Sequence, residues 1–476
     1  MCIVTQLEVG SSIGEEEAAL SVWLEKNLRG RVLNISRVER WRPAWNIDME
    51  VNGRVVPLHA RGEREPEIIV PYRIGDEVRT HNLLEAHGIP VPHVYGLCDE
   101  PYVLVMDRLD GHVDMSFAAN DDERRRLLDE YLELLARIYE IPLNEAAAVG
   151  FDIPEDSAAT GLGYIRTMEA MYRTRMEGLT PDPVVEFLLR WLKENVPADR
   201  HALTRFIPYD AFQFMFANGR ITGLLDFELA HVGDPLMDLA ALRIRDTIKS
   251  IGELAEIGTR YEEITGVRLD HEVIEYHTVL YNAVSPISTG PPLARPVPGV
   301  DWISYLAWYT NMTRWSFECI AELGGYKLQP VAVPQPRPTS HTAAIRHLVD
   351  GLRAASRGDY ELMSLGRLAS HLRRVDEIGP ALEAADLDDL AQVLGYRPDP
   401  GEAGAELLHL VQTAGSDRDE ELVRLLDARA QRMHLTLASV NSLMVRHPPL
   451  RSLRPDRRTV RSQNDGWPAG AIPGTG

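Results

Sequence analysis

Residues Phe206 to Ala240, FIPYDAFQFMFANGRITGLLDFELAHVGDPLMDLA, impose the tightest local constraint in the chain. Phe212 to Phe216 and Ile221 to Leu225 are short apolar runs, and the Asn218-Gly219 pair between them favours the two-residue turn of a β-hairpin. Such a hairpin sets Gln213 and Asp226 at neighbouring strand ends. Glu228 follows Asp226 by two residues, so in extended chain the two carboxylates face the same side. Gly233-Asp234-Pro235 and Asp238 come next, with Asp234 and Asp238 suited to capping a helix and tying loops together.

Around this hairpin the periodicity is helical. Leu127, Leu128, Tyr131, Leu134, Leu135 and Ile138 mark one apolar face, and Val184, Val185, Leu188, Leu189 and Leu192 mark another. The first part of the chain reads differently. A helix over Ala18 to Leu28 leads into a predicted hairpin, Ile47 to Val51 and Arg54 to Ala60, turned at Asn52-Gly53. A helix from about Asp76 to His87 is stopped by Gly88, Pro90 and Pro92, and Tyr102 to Met106 reads as a buried strand. Gln329 to Pro338 is rich in proline and reads as a linker, after which His341 to about Arg446 is helical again. The predicted division is therefore 1–110, a small strand-rich lobe; 111–328, a helical lobe carrying 206–240; 329–340, a linker; 341–450, a helical accessory domain; and 451–476, a disordered tail.

A chain of 476 residues is too long for one compact core. Its 50 basic and 71 acidic residues leave a net charge of −21, which repels a phosphate backbone and argues against nucleic acid as a partner. No run approaches the roughly 20 apolar residues that cross a bilayer, and Met1 to Gly10 lacks the pattern of a secretion signal, so a cytoplasmic location without a membrane partner is expected. Cys2, Cys98 and Cys319 lack metal or redox spacing. G-x-S-x-G, H-E-x-x-H and Walker-type sequences are absent.

The run Asp226-Phe227-Glu228, Gly233-Asp234-Pro235, Asp238-Leu239-Ala240 resembles the core of the aminoglycoside-phosphotransferase family, whose members carry H-G-D-x-x-x-x-N, a hairpin, D-[WF]-E and G-D-P-x-x-D-L-A. The resemblance covers about Ala18 to Leu323. It implies an α+β, protein-kinase-like two-lobed fold, with a mixed β amino lobe and a mainly helical carboxyl lobe; here a carboxyl-terminal all-α domain is added. It also implies ATP and magnesium as cofactors and a small-molecule hydroxyl as phosphate acceptor. Asp226, Gln213 and Glu228 become the candidate metal residues, since hard cations take oxygen ligands. Arg61 becomes the phosphate cation, with His59 behind it, and Glu77 its orienting carboxylate. Met106 and Arg108, at the hinge between lobes, become candidates for contacting the nucleotide.

The family's first loop is altered. Alignment on Asn218-Gly219-Arg220 sets Phe206 at the family's histidine, Pro208 at its catalytic aspartate and Gln213 at its asparagine, which leaves Asp210 as the candidate substitute base. The stretch Arg40 to Asn46 lacks the family's glycines; Trp41, Pro43 and Trp45 are expected to narrow the phosphate end of the cleft, with Arg40 and Arg42 supplying charge. Two readings stay open. One is a phosphotransferase, the other a pseudokinase that binds a ligand or, through its carboxyl-terminal helices, a protein partner or a second copy of itself.

Overall fold

The computed structural model describes residues 12–38, 42–63, 68–248, 251–356, 359–440 and 445–454. Five strands form one antiparallel sheet: β1 (Arg31–Arg37), β2 (Ala44–Val51), β3 (Arg54–Gly62), β4 (Val94–Asp99) and β5 (Tyr102–Asp107), in the order β1-β2-β3-β5-β4. Both predicted hairpins are present. Asn52 and Gly53 have φ of 52° and 74°, and Asn218 and Gly219 have 52° and 72°. Positive φ at both central residues matches the right-handed twist of the flanking strands, which is why Asn-Gly recurs at the two turns.

Period-2 alternation sorts the sheet's faces. Ile47, Met49, Leu58, Ala60 and Val105 pack with Leu20 and Leu24 of helix α1 (Ser12–Leu28). Trp45 lies in the same cluster and is fully buried. This corrects the expectation that Trp45 narrows the cleft: strand alternation turns it into the lobe's core, and Arg40 and Trp41 fall outside the described residues. The opposite face carries Arg61 towards helix α2 (Ile74–Ala86), whose buried Glu77, Thr80, His81 and Leu84 share one helical side.

The chain leaves β5 through Gly111, where φ is 120° and a Cβ would lie 2.1 Å from the Phe216 carbonyl oxygen. Glycine is required there because His112 and Phe216 exchange backbone hydrogen bonds of 2.9 and 3.0 Å. Helices α3 (Asp121–Tyr139), α4 (Leu143–Ala148), α5 (Ser157–Leu162), α6 (Ile165–Arg175) and α7 (Pro183–Glu194) precede strands β6 (Arg205–Ile207), β7 (Phe214–Ala217), β8 (Arg220–Leu224) and β9 (His231–Gly233). Helices α8 (Leu236–Ile248), α9 (Leu254–Thr265), α10 (His271–Ala294) and α11 (Trp302–Gly324) complete the lobe. The chain thus has the α+β two-lobed, kinase-like plan, with a wholly antiparallel amino-lobe sheet.

Beyond an extended strap, α12 (Thr342–Ala355), α13 (Tyr360–Leu394), α14 (Ala403–Thr413) and α15 (Asp419–Leu437) follow. Leu407, Val411, Leu422 and Leu426 belong to the same buried cluster as Leu189 and Leu280, so these helices share a core with the larger lobe. Arg451 to Arg454 differ from the predicted disordered tail. Arg451 pairs with Asp246, Arg454 with Glu275, and Leu453 is buried; two ion pairs and an apolar anchor offset the entropy of ordering so short a segment. Residues 455–476 lie outside the described residues. Among the described residues no helix is long and apolar enough to cross a membrane.

Candidate functional site

The two lobes meet through charges. Arg61 of β3 pairs with Glu77 of α2, and its Nη1 donates to Asp226 Oδ1 at 3.1 Å. Arg42 donates to Glu228 Oε2 at 2.5 Å. Glu77, Glu228 and both guanidiniums are almost fully buried, whereas the Asp226 side chain is 25% exposed. Burial alone would pull the Arg61 pKa down, but Glu77, Asp226 and Glu228 together outweigh it and hold it above its ordinary value. The cation is therefore permanent.

Below this cluster the loop before β7 makes a three-residue turn, in which the Asp210 N–H donates to the Pro208 carbonyl at 2.8 Å. Its central residue, Tyr209, has φ of 58°, the strained hand for such a turn. Phe212 and Asp226 also sit at positive φ, 64° and 65°. Strain concentrated this way persists only where surrounding contacts over-determine the backbone, a condition common at functional sites. Here the contacts are visible: Tyr209 N–H donates to Asp238 Oδ1 at 2.7 Å, Phe212 N–H to the Tyr131 hydroxyl at 3.0 Å, and Leu225 N–H to the Gln213 carbonyl at 2.8 Å.

The result is a bridge between two carboxylates. Gln213 Nε2 lies 3.1 Å from Asp210 Oδ2 and 3.3 Å from Asp226 Oδ2. The other Asp210 oxygen accepts from Arg245 and from the Tyr281 hydroxyl, the latter at 3.2 Å. Burial pushes the Asp210 carboxyl above its ordinary range; Arg245 pulls it back and Asp226 adds to the rise. Asp234 and Asp238 support the loop from beneath. Asp234 accepts from Leu236 N–H at the start of α8, from Arg200 and from His277. Burial alone would raise its carboxyl, but His277 and Arg200 hold it well below the usual range. Asp238 accepts from Tyr139 and Tyr209; burial raises it to about 7.

As a cation site the donor set is incomplete. Gln213 faces two acceptors, so its amide presents NH₂ rather than oxygen towards Asp226, and an amide nitrogen that donates cannot ligate a metal. Glu228 is held by Arg42. Among the described residues no group of three or more His, Cys, Asp or Glu could hold a metal. Of the three candidate metal residues, Asp226 offers a partly open carboxylate.

At the hinge, Met106 is buried beside Ile74 and Leu104. Arg108 pairs with Asp48 at 2.6 Å, and the N–H groups of Asp107 and Arg108 donate to the carbonyls of His93 and Pro57. His59 hydrogen-bonds Asn46 at 2.9 Å. Sequence reasoning missed Arg245 and Tyr281 at Asp210, and it assigned Arg42 to phosphate rather than to Glu228. Arg245 lies in the last turn of α8 and Tyr281 lies on α10; neither carries a local motif.

Residues 65–272 match the model of the phosphotransferase enzyme family, and that segment holds Glu77, Asp210 and Asp226. Acyl-CoA dehydrogenase family member 11 of Rattus norvegicus is 22% identical over 230 residues, 45% of this chain and 29% of that relative. The Gallus gallus protein of the same name is 26% identical over 181 residues, 36% of this chain and 22% of the relative. The chain thus spans under a third of the curated relatives it matches. Among solved structures, a Ralstonia eutropha protein named as an aminoglycoside phosphotransferase is 17% identical with a TM-score of 0.46, covering 64% of this chain and 98% of that chain. The streptomycin–ATP ternary complex of APH(2″)-IIa is 16% identical with a TM-score of 0.40, covering 60% and 91%.

Proposed function

We propose that the protein transfers the terminal phosphoryl group of a nucleoside triphosphate to a hydroxyl of a small molecule, with Asp210 as general base. The observation that carries this reading is the shared Gln213 amide, which holds the Asp210 and Asp226 carboxylates within 3.3 Å of one nitrogen. Asp210 thereby takes up the task of the aspartate replaced by Pro208: the strained turn at Tyr209 brings a carboxylate to the cleft two residues later in the chain.

The acceptor oxygen attacks the terminal phosphorus, a P–O bond forms, the bond to the bridging oxygen breaks, and the nucleoside diphosphate leaves. Asp210 takes the hydroxyl proton, and its raised pKa makes it the stronger base for that step. Arg61 faces the phosphates as a fixed positive charge after exchanging its Asp226 contact for theirs, while Glu77 keeps the guanidinium in place. Asp226 is the residue that would hold magnesium, which when bound neutralises phosphate charge. Gln213 positions the two carboxylates.

A second reading is a ligand-binding module without transfer, favoured by the ion pairs that already engage Asp210, Asp226 and Glu228. Diphosphate release measured with a panel of hydroxyl compounds separates the two. The transferase reading requires turnover that Asp210→Asn removes while nucleotide still raises the melting temperature; saturable nucleotide binding without turnover in any condition establishes the binding module.

A further inference from the structure

Residues 446–454 have no helix or strand of their own, yet they are held against the helices of the larger lobe. On α11, Asn311 Nδ2 donates to the Arg446 carbonyl at 3.1 Å, and Trp315 Nε1 donates to the Pro448 carbonyl at 3.0 Å. The His447 ring stacks on Trp315 with centroids 4.8 Å apart, and its Nε2 meets Glu318 at 2.7 Å. Leu453 is buried beside Gly258 of α9, and Arg454 pairs with Glu275 of α10. Side-chain donors thus satisfy backbone carbonyls that no helix or sheet ladder could.

The densest attachment is to the last turn of α8. Arg451 takes Asp246 with two arms of its fork, Nε to Oδ2 at 2.7 Å and Nη2 to Oδ1 at 2.5 Å. In return, Arg243 Nε donates to the Arg451 carbonyl at 2.7 Å. Arg243 and Asp246 are three residues apart and so share a helix face. Asp246 also accepts from Ile251 N–H at 3.0 Å, just past the end of the helix. Between the two in sequence stands Arg245, which turns instead onto Asp210 and onto the Ala211 carbonyl, the latter at 3.3 Å. The last carbonyls of a helix have no partners within it, so a terminal turn depends on side chains or neighbouring chain to hold it.

We propose that Arg451 is a positioning residue for the general base: it fastens the last turn of α8 and so keeps Arg245 on Asp210. The inference rests on the phosphotransferase reading and gives residues 446–454 a share in the chemistry at Asp210. That carboxylate faces Arg245 from α8, the Tyr281 hydroxyl from α10 and, across the Gln213 amide, Asp226. Arg245 is the cation of this set, so its withdrawal leaves the carboxyl with Asp226 and raises its pKa further.

Initial rates over a range of pH test this in the full chain, with a nucleoside triphosphate and a hydroxyl acceptor that wild type phosphorylates. Arg451→Met should move the acid limb of kcat/KM to higher pH, because Asp210 acts in its ionised form, and lower kcat/KM on that limb by about threefold to tenfold. Arg451→Lys, which keeps the charge and loses the fork, should fall between. In an Arg245→Met background, Arg451→Met should have no further effect, since its path to the base is gone. Arg190→Met controls for lost stability: it breaks the pair with Asp419 that ties α7 to α15 and should leave the limb in place. An unmoved limb in Arg451→Met, additive effects in the double variant, or an equal shift in Arg190→Met overturns the proposal.

Amide hydrogen exchange gives a readout that needs no turnover. The amides of residues 242–248 should exchange about tenfold faster in Arg451→Met than in wild type, and Arg190→Met should leave them unchanged. If wild type phosphorylates no acceptor, the phosphotransferase reading has failed and exchange alone decides the role of Arg451: equal protection in wild type and Arg451→Met overturns it. Should Arg451→Met not fold, the near-isosteric Asp246→Asn takes its place in both measurements.

Discussion

The carboxylates that reach across the cleft and Asp238 in its floor are neutralised in different ways. Asp226 and Glu228 meet guanidiniums contributed by the other lobe, 165 and 186 residues away in sequence. Asp238, in the floor, meets neutral donors, the Tyr139 hydroxyl and the Tyr209 N–H. An ion pair between lobes ties charge state to lobe closure. A buried carboxyl with neutral partners ties it to pH, and so the two regions respond to different perturbations.

The largest effect is expected at Asp210, which lies between them. Asp210→Asn should lower turnover by about 10² to 10⁴ in kcat, the usual contribution of a positioned base. In wild type the acid limb of kcat/KM should sit above the ordinary aspartate value of about 3.9, because activity needs the ionised form and the pKa is raised. A limb at or below that value would remove Asp210 from the role.

Next comes the cross-lobe cluster. Arg61→Met leaves Glu77 buried without its cation and should cost about 3–5 kcal/mol in urea unfolding, much of it recovered when Glu77→Gln is added. If the double variant is no better than the single one, the pair is not a unit.

In the floor, the folded-state pKa of Asp238 is about 7, above its unfolded value, so the proton it holds stabilises the fold below about pH 4 and that contribution is lost as pH rises to about 7. Asp238→Asn should flatten this part of the stability–pH curve relative to wild type. Parallel curves would show that Asp238 is ionised throughout. A smaller coupling, about 0.5–3 kcal/mol, is expected for Arg42→Met and Glu228→Gln in a double-mutant cycle. Least affected should be Arg108→Ala: the pair with Asp48 is about one-third exposed on each side, and its loss should cost under about 1 kcal/mol.

The same contrast explains what was readable in advance. The hairpins at Asn52-Gly53 and Asn218-Gly219, the helix stopped at Gly88 and the Asp226 to Ala240 run all rest on interactions within a few residues, so local composition reveals them. The Arg61–Glu77 pair was legible because the family resemblance supplied its two ends. Arg42 on Glu228, and Arg245 with Tyr281 on Asp210, join elements whose proximity depends on the finished packing. Trp45 departs from its expected place at the cleft for a related reason: β2 begins at Ala44, and alternation decides the direction of its side chains. The order of Arg451 to Arg454 depends on α8 and α10, and no feature of the proline- and arginine-rich end itself announces it.

That last segment has a consequence in time. Arg451 closes onto Asp246 across 205 residues and Arg454 onto Glu275 across 179. During synthesis, α8 leaves the ribosome long before these partners exist. At about 5–20 residues per second, some 10 to 40 s separate the two. Through that interval Asp246 and Glu275 lack these two arginines, and the ion pairs that fasten the end of the chain onto α8 and α10 form only when translation has passed Arg454.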